Sequence, residues 1–403
     1  MQDTPRGSRL HIALFGRRNA GKSSLINALT GQELAIVSAV PGTTTDPVYK
    51  SMEINPIGPV VLIDTAGLDD SGELGRQRVK KSLAVLEKTD LVLLVVTAEK
   101  GPGEIEKAFL TTARQKELPV IGVINKIDLP GATAVDYSVF GIPWVKVSAL
   151  TGQGISELKQ AMIAAAPRNW KAPTIAGDLL PAGELALLVV PLDEAAPQGR
   201  LILPQVQTIR DLLDHNCQVM VVKDEQLRAA LKRCGQPPAL VITDSQVFHA
   251  VDAITPPEVP LTSFSILFAR YKGDLVTLVK GAQAIKELQP GDKVLIAEAC
   301  THHRVDDDIA TAKIPRWLNQ YVGGKLDFEL ASGGTLPDKL EQYRLIVHCG
   351  ACMINRRQML SRIFAAQKAG VPIVNYGVLI AFVLGILKRA LAPFPEALAL
   401  IKD

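Results

Sequence analysis

The sequence predicts an α/β protein of three αβ domains in series, on three observations. Apolar, β-rich runs alternate with helical stretches, the order that builds parallel βαβ units and doubly wound sheets. Proline-bearing stretches at 171–181 and 255–260 interrupt that alternation twice. At 403 residues the chain has room for two or three domains of roughly 150 residues each. The expected domains are 1–170, with a doubly wound sheet; 171–260, a small αβ domain; and 261–403, a Rossmann-like αβ domain.

Taken in order, the strands of the first domain are expected at 9–15, 60–63, 91–97, 120–124 and 144–147, with helices at 23–29 and 104–116. In the second, strands 185–191 and 218–222 flank a helix at 208–215. A helix at 224–233, capped by Asp224, leads to a strand at 239–243. The third domain offers strands at 294–299, 345–347 and 372–374 and a helix at 356–368. Its apolar run 376–387 is the longest in the chain, yet well short of the about 20 residues that a bilayer requires. It reads as a buried core helix, so no membrane association is expected.

An apolar content of 47% against 21% charged residues excludes a disordered chain. Net charge is only +3, from 44 basic and 41 acidic residues, which by itself implies neither a nucleic-acid nor a membrane surface. Residues 1–9 are polar and carry no apolar signal core. Five cysteines without a secretory signal point to the reducing cytoplasm, where clustered cysteines hold metal more often than disulfides.

Gly16-Arg17-Arg18-Asn19-Ala20-Gly21-Lys22-Ser23 fits G-x-x-x-x-G-K-[ST] between an apolar strand and a helix. Such a glycine loop and helix N-terminus surround phosphate oxygens with backbone N–H groups, here from Gly16 through Ala20 to Ser24. Lys22 would reach the β- and γ-phosphates, and the Ser23 hydroxyl would ligate Mg²⁺. Asp64-Thr65-Ala66-Gly67 ends a strand, so that Asp64 meets Mg²⁺ through water and the Gly67 amide senses the γ-phosphate. In Asn125-Lys126-Ile127-Asp128, Asp128 accepts from N1 and N2 of guanine, which adenine cannot match, and the Lys126 stem covers the base. In Ser148-Ala149-Leu150, the Ala149 N–H would donate to guanine O6. Four motifs in this order make the first domain a P-loop GTPase and the site one for GTP. Within 41–46, alignment with the small GTPases selects Thr44 as the second Mg²⁺ ligand, rather than Thr43 or Thr45.

Leu68 follows Gly67 where many GTPases place a water-orienting glutamine, which predicts slow intrinsic hydrolysis. Asp69, Asp70 and Glu73 are the candidates for positioning water. Here the chain resembles the TrmE/Era group of GTPases, several of which hold K⁺ through an asparagine at the Asn19 position. That resemblance implies K⁺ stimulation with Asn19 as a ligand.

Cys300-Thr301-His302-His303 and His348-Cys349-Gly350-Ala351-Cys352 each follow a predicted strand. If those strands are parallel neighbours, both clusters emerge at the sheet's carboxyl edge, beside Asn375-Tyr376-Gly377. Soft thiolates select zinc or an iron–sulfur cluster, and the residue types alone favour the two about equally. Cys300, Cys349 and Cys352 with His302 or His348 would complete a zinc site, whereas three cysteines on a four-iron cluster leave one iron exchangeable, and a histidine beside a ligand can also serve only as its hydrogen bonder. Cys217 and Cys234 read as small core residues.

A TrmE/Era-type GTPase domain, a middle αβ domain and C-x-H … H-C-x-x-C together resemble the [FeFe]-hydrogenase maturation GTPases, the HydF family. Residues 42–50 and 56–60 resemble that family's switch region. The resemblance spans essentially the whole chain. It implies a [4Fe–4S] cluster on Cys300, Cys349 and Cys352 and a transient two-iron precursor supplied by two radical-SAM maturases. It further implies delivery to apo-[FeFe]-hydrogenase and a homodimer formed through the middle domain, while a near-neutral charge, 5% aromatics and no Gly-x-x-Gly loop after the GTPase domain lead us to expect no nucleic-acid partner. The edge left by a short parallel sheet also favours pairing of two copies. The alternatives from other classes are a ribosome-assembly or RNA-binding GTPase with structural zinc, and a redox-switch GTPase.

Overall fold

The computed structural model describes residues 5–31, 47–70, 72–130, 136–167, 174–191, 201–299, 308–333 and 335–401. The chain forms two compact units, Met1–Lys171 and Ala172–Asp403.

In the first unit the strands are β1 (Leu10–Phe15), β2 (Val48–Ile54), β3 (Gly58–Asp64), β4 (Leu91–Thr97), β5 (Val120–Asn125) and β6 (Trp144–Lys146). They lie in the order β2-β3-β1-β4-β5-β6, all parallel except the β2–β3 pair. Successive residues of a strand point to opposite faces, so β1 feeds two cores at once. Ile12 and Leu14 join Leu25, Leu29 and Leu158 of helices Lys22–Thr30 and Ile155–Ala165. Ala13 and Phe15 join Phe109 and Leu110 of helix Glu104–Gln115. Burial on both faces is why the inner strands read as unbroken apolar runs.

The second unit contains two four-stranded parallel sheets. One comprises β7 (Leu185–Val189), β8 (Gln218–Val222), β9 (Leu240–Thr243) and β10 (Leu261–Ser263), in the order β10-β9-β7-β8. The other comprises β11 (Lys293–Glu298), β12 (Asp327–Ser332), β13 (Leu345–His348) and β14 (Ile373–Asn375), in the order β12-β11-β13-β14. One contiguous core runs beneath both, from Ile175 to Ala397. A division at 260/261 would separate β10 from the sheet in which it pairs with β9.

Helix Tyr376–Val383 buries Val378, Leu379, Ile380 and Ala381, the core helix expected of this apolar run. Among the described residues no helix is long and apolar enough to cross a membrane. The helix expected from 224 differs at its start. Asp224–Gln226 is a tight 3₁₀ turn in which the Gln226 side chain accepts from Lys223 N at 3.2 Å, the α-helix begins at Leu227, and Asp224 sits within the turn rather than capping a helix.

Candidate nucleotide site and cysteine loop

The loops that follow β1, β3, β5 and β6 leave the carboxyl ends of mutually parallel strands, the edge where open α/β sheets take ligands. Helix Lys22–Thr30 begins at Gly21, whose φ of 88° lies in the left-handed region. A Cβ there would stand 2.3 Å from Asn125 Nδ2, so side chains other than hydrogen are excluded by space as well. Asn19 is also left-handed, at φ 61°, a conformation that asparagine tolerates.

Lys22 is buried and donates to the carbonyls of Gly16 and Arg17 at 3.0 Å each, bracing the loop from within. Burial pushes its ammonium pKa down, against the opposing pull of Asp64, Asp69 and Asp70. The Ser23 hydroxyl donates to Asp64 Oδ2 at 2.5 Å. Asp64 Oδ1 is buried and has no hydrogen-bond partner among the described residues. Burial pushes this carboxyl pKa up, opposed by the Ser23 hydrogen bond and the Lys22 charge. An orphaned carboxylate oxygen beside a hydroxyl is a donor set that suits Mg²⁺. Thr44, with Thr43 and Thr45, lies outside the described residues.

Gly67 lies against the phosphate loop, where a Cβ would meet Arg18 N at 2.8 Å. Arg18 N itself donates to Asp69 Oδ1 at 2.6 Å. Leu68 N donates to Gly16 O at 3.1 Å, and its side chain packs on the core around Phe15 and Ile63. It brings no polar atom to a water. The side chain of Glu73 lies outside those described. Arg17 makes a two-pronged contact with Glu106, Nε to Oε1 and Nη2 to Oε2 at 2.9 Å each. Glu106 is fully buried and also accepts from Gly103 N.

A cavity of about 550 Å³ opens beside this loop, lined in part by Gly21, Ser24, Asn125, Lys126, Asp128 and Ala149. That volume suits a small organic ligand. Asn125 ties the phosphate loop to the base end. Its Nδ2 donates to Ala20 O at 3.0 Å, and its Oδ1 accepts from Ala149 N at 3.1 Å. The Ala149 amide, expected to meet a guanine oxygen, is therefore engaged by Asn125. Asp128 Oδ1 accepts from the Ser148 hydroxyl at 2.5 Å, which fixes the carboxylate at the cavity wall.

In the second unit β11 and β13 are parallel neighbours, Ala297 opposite His348, and β14 flanks β13 with Asn375 opposite His348. The three strands thus end at one sheet edge. Cys349 N donates to Ala297 O at 2.9 Å, and Cys349 Sγ accepts from Ala299 N at 3.2 Å. Cys300 and His302 lie outside the described residues. Burial pushes the thiol pKa values of Cys349 and Cys352 up. His348 is fully buried, with Nδ1 2.8 Å from Cys349 O and Nε2 2.7 Å from Arg362 Nη1. Both ring nitrogens are thereby engaged by protein groups. Burial and the Arg362 charge lower its pKa to about 3. Among the described residues no group of three or more His, Cys, Asp or Glu is placed to hold a metal ion. Cys217 is buried in the core, as expected.

Five residues at these sites escaped the motif reading. Arg17 and Glu106 are far apart in sequence and are joined only by the fold. Arg362 shares a buried stripe with Met359, Ile363 and Ala366, so a charged residue on an apolar helix face was its available signal. Lys272 ends helix Phe264–Lys272 and is 2% exposed, with Nζ donating to Ile354 O at 3.2 Å. Beside it, Arg356 Nη1 lies between 2.8 and 3.0 Å from the carbonyls of Arg270, Tyr271 and Gly273.

Three family models match the chain. They are a 50S ribosome-binding GTPase at residues 11–126, the hydrogen maturase F dimerization domain at 175–273, and the hydrogen maturase F tetramerization domain at 276–393. Over 171 residues the chain is 41% identical to a tRNA modification GTPase of Nitrosomonas europaea, covering 42% of this chain and 37% of that protein. Against the corresponding protein of Moorella thermoacetica the figures are 42% identity over 37% of this chain and 33% of that protein. The chain therefore spans about a third of the length of these curated relatives. A structure of Aquifex aeolicus Era bound to GDP.AlF4− is similar at 21% identity and TM-score 0.35, covering 55% of this chain and 97% of that one.

Proposed function

Because this chain belongs to the hydrogen maturase F family, with that family's dimerisation and tetramerisation domains behind a GTPase domain, we propose that it is a GTP-hydrolysing scaffold for the [FeFe]-hydrogenase active site. It binds a [4Fe–4S] cluster on Cys300, Cys349 and Cys352, takes a two-iron precursor from two radical-SAM maturases, and transfers it to apo-hydrogenase. The observation that supports this reading is the register of β11 with β13, which brings Ala299 and Cys349 together at one sheet edge. The two sheets of the second unit correspond to the association and cluster-holding parts of the scaffold, and the middle part pairs two copies.

Three thiolates supply the soft donors that an iron–sulfur cluster requires. When bound, such a cluster supplies an iron with an exchangeable coordination position. The chain's own contribution is to orient the donors. The Ala299 amide holds Cys349 Sγ, and Arg362 holds His348, whose other nitrogen rests on the Cys349 carbonyl. With both nitrogens so engaged, His348 acts as a positioning residue, which leaves His302 as the histidine candidate for the fourth ligand.

In the GTPase domain Ser23, Asp64 and Thr44 serve Mg²⁺, Lys22 and the Gly67 amide serve the phosphates, Asn19 serves K⁺, and Asp128 with Lys126 reads guanine. Hydrolysis is stimulated by K⁺ over Na⁺, and the Asn19→Ala variant loses that difference.

The test of the scaffold reading is iron, sulfide and zinc content after anaerobic reconstitution, with electron paramagnetic resonance after reduction. A four-iron signal in the wild type that vanishes in a Cys300→Ala, Cys349→Ala, Cys352→Ala variant supports it. Stoichiometric zinc with no iron signal overturns it in favour of a GTPase with a structural zinc.

A further inference from the structure

The segment that follows β3 lies along the phosphate loop and brings a carboxylate onto it. Leu68 N donates to Gly16 O at 3.1 Å, and Asp69 Oδ1 accepts from Arg18 N at 2.6 Å. A Cβ on Gly67 would stand 2.8 Å from Arg18 N, 2.9 Å from Asp69 Oδ1 and 3.1 Å from Asp70 Oδ1. In the proposed site the Gly67 amide serves the γ-phosphate, so the Asp69 carboxylate stands at that end of the loop. Asp69 is an exposed residue, and burial does not force it there. The amides of such a loop are the groups that surround phosphate oxygens. Each amide has a single hydrogen to give. While Asp69 holds Arg18 N, that donor is withheld from any other anion.

We propose that Asp69 is an internal competitor for the γ-phosphate. Its carboxylate keeps the Arg18 amide when the nucleotide ends at the β-phosphate, and a γ-phosphate expels it. The proposal rests on the GTPase reading of the first unit. Expulsion costs GTP the Asp69–Arg18 hydrogen bond and the repulsion of two anions, whereas GDP leaves the contact in place. Asp69 thus holds GTP affinity down relative to GDP. It also turns arrival of the γ-phosphate into movement of the segment that leads into helix Gly72–Val85.

The test uses the full chain with Mg²⁺, titrated calorimetrically with GDP and with the non-hydrolysable β,γ-imido analogue of GTP. Asp69→Ala should tighten the analogue about tenfold and leave GDP within about twofold of the wild type. Asp69→Asn keeps an oxygen acceptor without the charge, and should fall between the wild type and Asp69→Ala. Analogue affinity that is unchanged or weaker, or a gain shared equally by GDP, overturns the proposal. So does a fall in kcat with both affinities unchanged, the result expected of a carboxylate that only orients water. A wild type that binds neither nucleotide overturns the GTPase reading as well.

Discussion

Ser23 and Asp64, 41 residues apart in sequence, share a hydrogen bond of 2.5 Å, while the other carboxylate oxygen of Asp64 is buried with no partner among the described residues. The carboxylate is held in place yet left half unsatisfied, the condition a cation relieves.

Burial raises the folded pKa of Asp64 above its ordinary 3.8. The folded state therefore binds this proton more tightly, and stability erodes as pH rises through the raised value. At pH 7 without Mg²⁺, Asp64→Asn should raise Tm by about 2–4 °C. The same variant should lose the further rise that Mg²⁺ with GTP gives the wild type. Scanning calorimetry with and without Mg²⁺ checks both halves, and a lower Mg²⁺-free Tm would refute the first.

Asp128 is an acceptor fixed by Ser148 at the cavity wall. Asp128→Asn exchanges an acceptor for a donor, so GTP affinity should fall about 10- to 100-fold, as hydrogen bonds to a charged group are lost. Xanthosine triphosphate, which presents an oxygen at the base position where guanine presents an amine, should gain. Competition binding with the two nucleotides reads the exchange.

The fully buried Glu106 is answered by the two-pronged Arg17 contact. Glu106→Gln weakens that pair but leaves Arg17, whose side chain is 33% exposed, open to water, so it should cost the first unit about 1.5 kcal/mol, with a weaker GTP Kd because Arg17 lies inside the phosphate loop. Lys107→Ala, which removes the exposed pair with Glu104, should cost less than about 0.5 kcal/mol. Urea denaturation of the two variants separates them.

Buried against Arg362, His348 has its folded pKa lowered to about 3 from 6.5. Its contribution to stability is complete above pH 6.5 and is lost as pH falls through 6.5 toward 3, at up to about 1.4 kcal/mol per pH unit. The second unit should weaken by about 2 kcal/mol between pH 7 and pH 5. His348→Gln should flatten that slope. Denaturation series at the two pH values decide it.

Most strands were legible because burial on both faces leaves an apolar run in the sequence. Leu91–Thr97 and Gln218–Val222 fall at their expected bounds. Outside the expected strands lie Val48–Ile54, Leu261–Ser263 and Asp327–Ser332, each at a sheet edge. Two of these are half exposed and carry charged residues, and the third has only three residues. The GTPase motifs were legible because each is a short run tied to one strand end. The neighbours Arg17–Glu106 and Arg362–His348 were not, because each joins two different elements of the fold and leaves no local spacing to read.

Helix Phe264–Lys272 falls within the stretch matched by the dimerisation model, whereas the cysteine loop falls within that of the tetramerisation model. Yet the end of this helix holds Arg356 by three carbonyls and reaches Ile354 through Lys272. A cut at the narrow gap between 273 and 276 would therefore strip the cysteine loop of its neighbouring scaffolding. The two stretches are not interchangeable cassettes. A lineage that recombined them at that gap would inherit the cysteines without the residues that hold their loop.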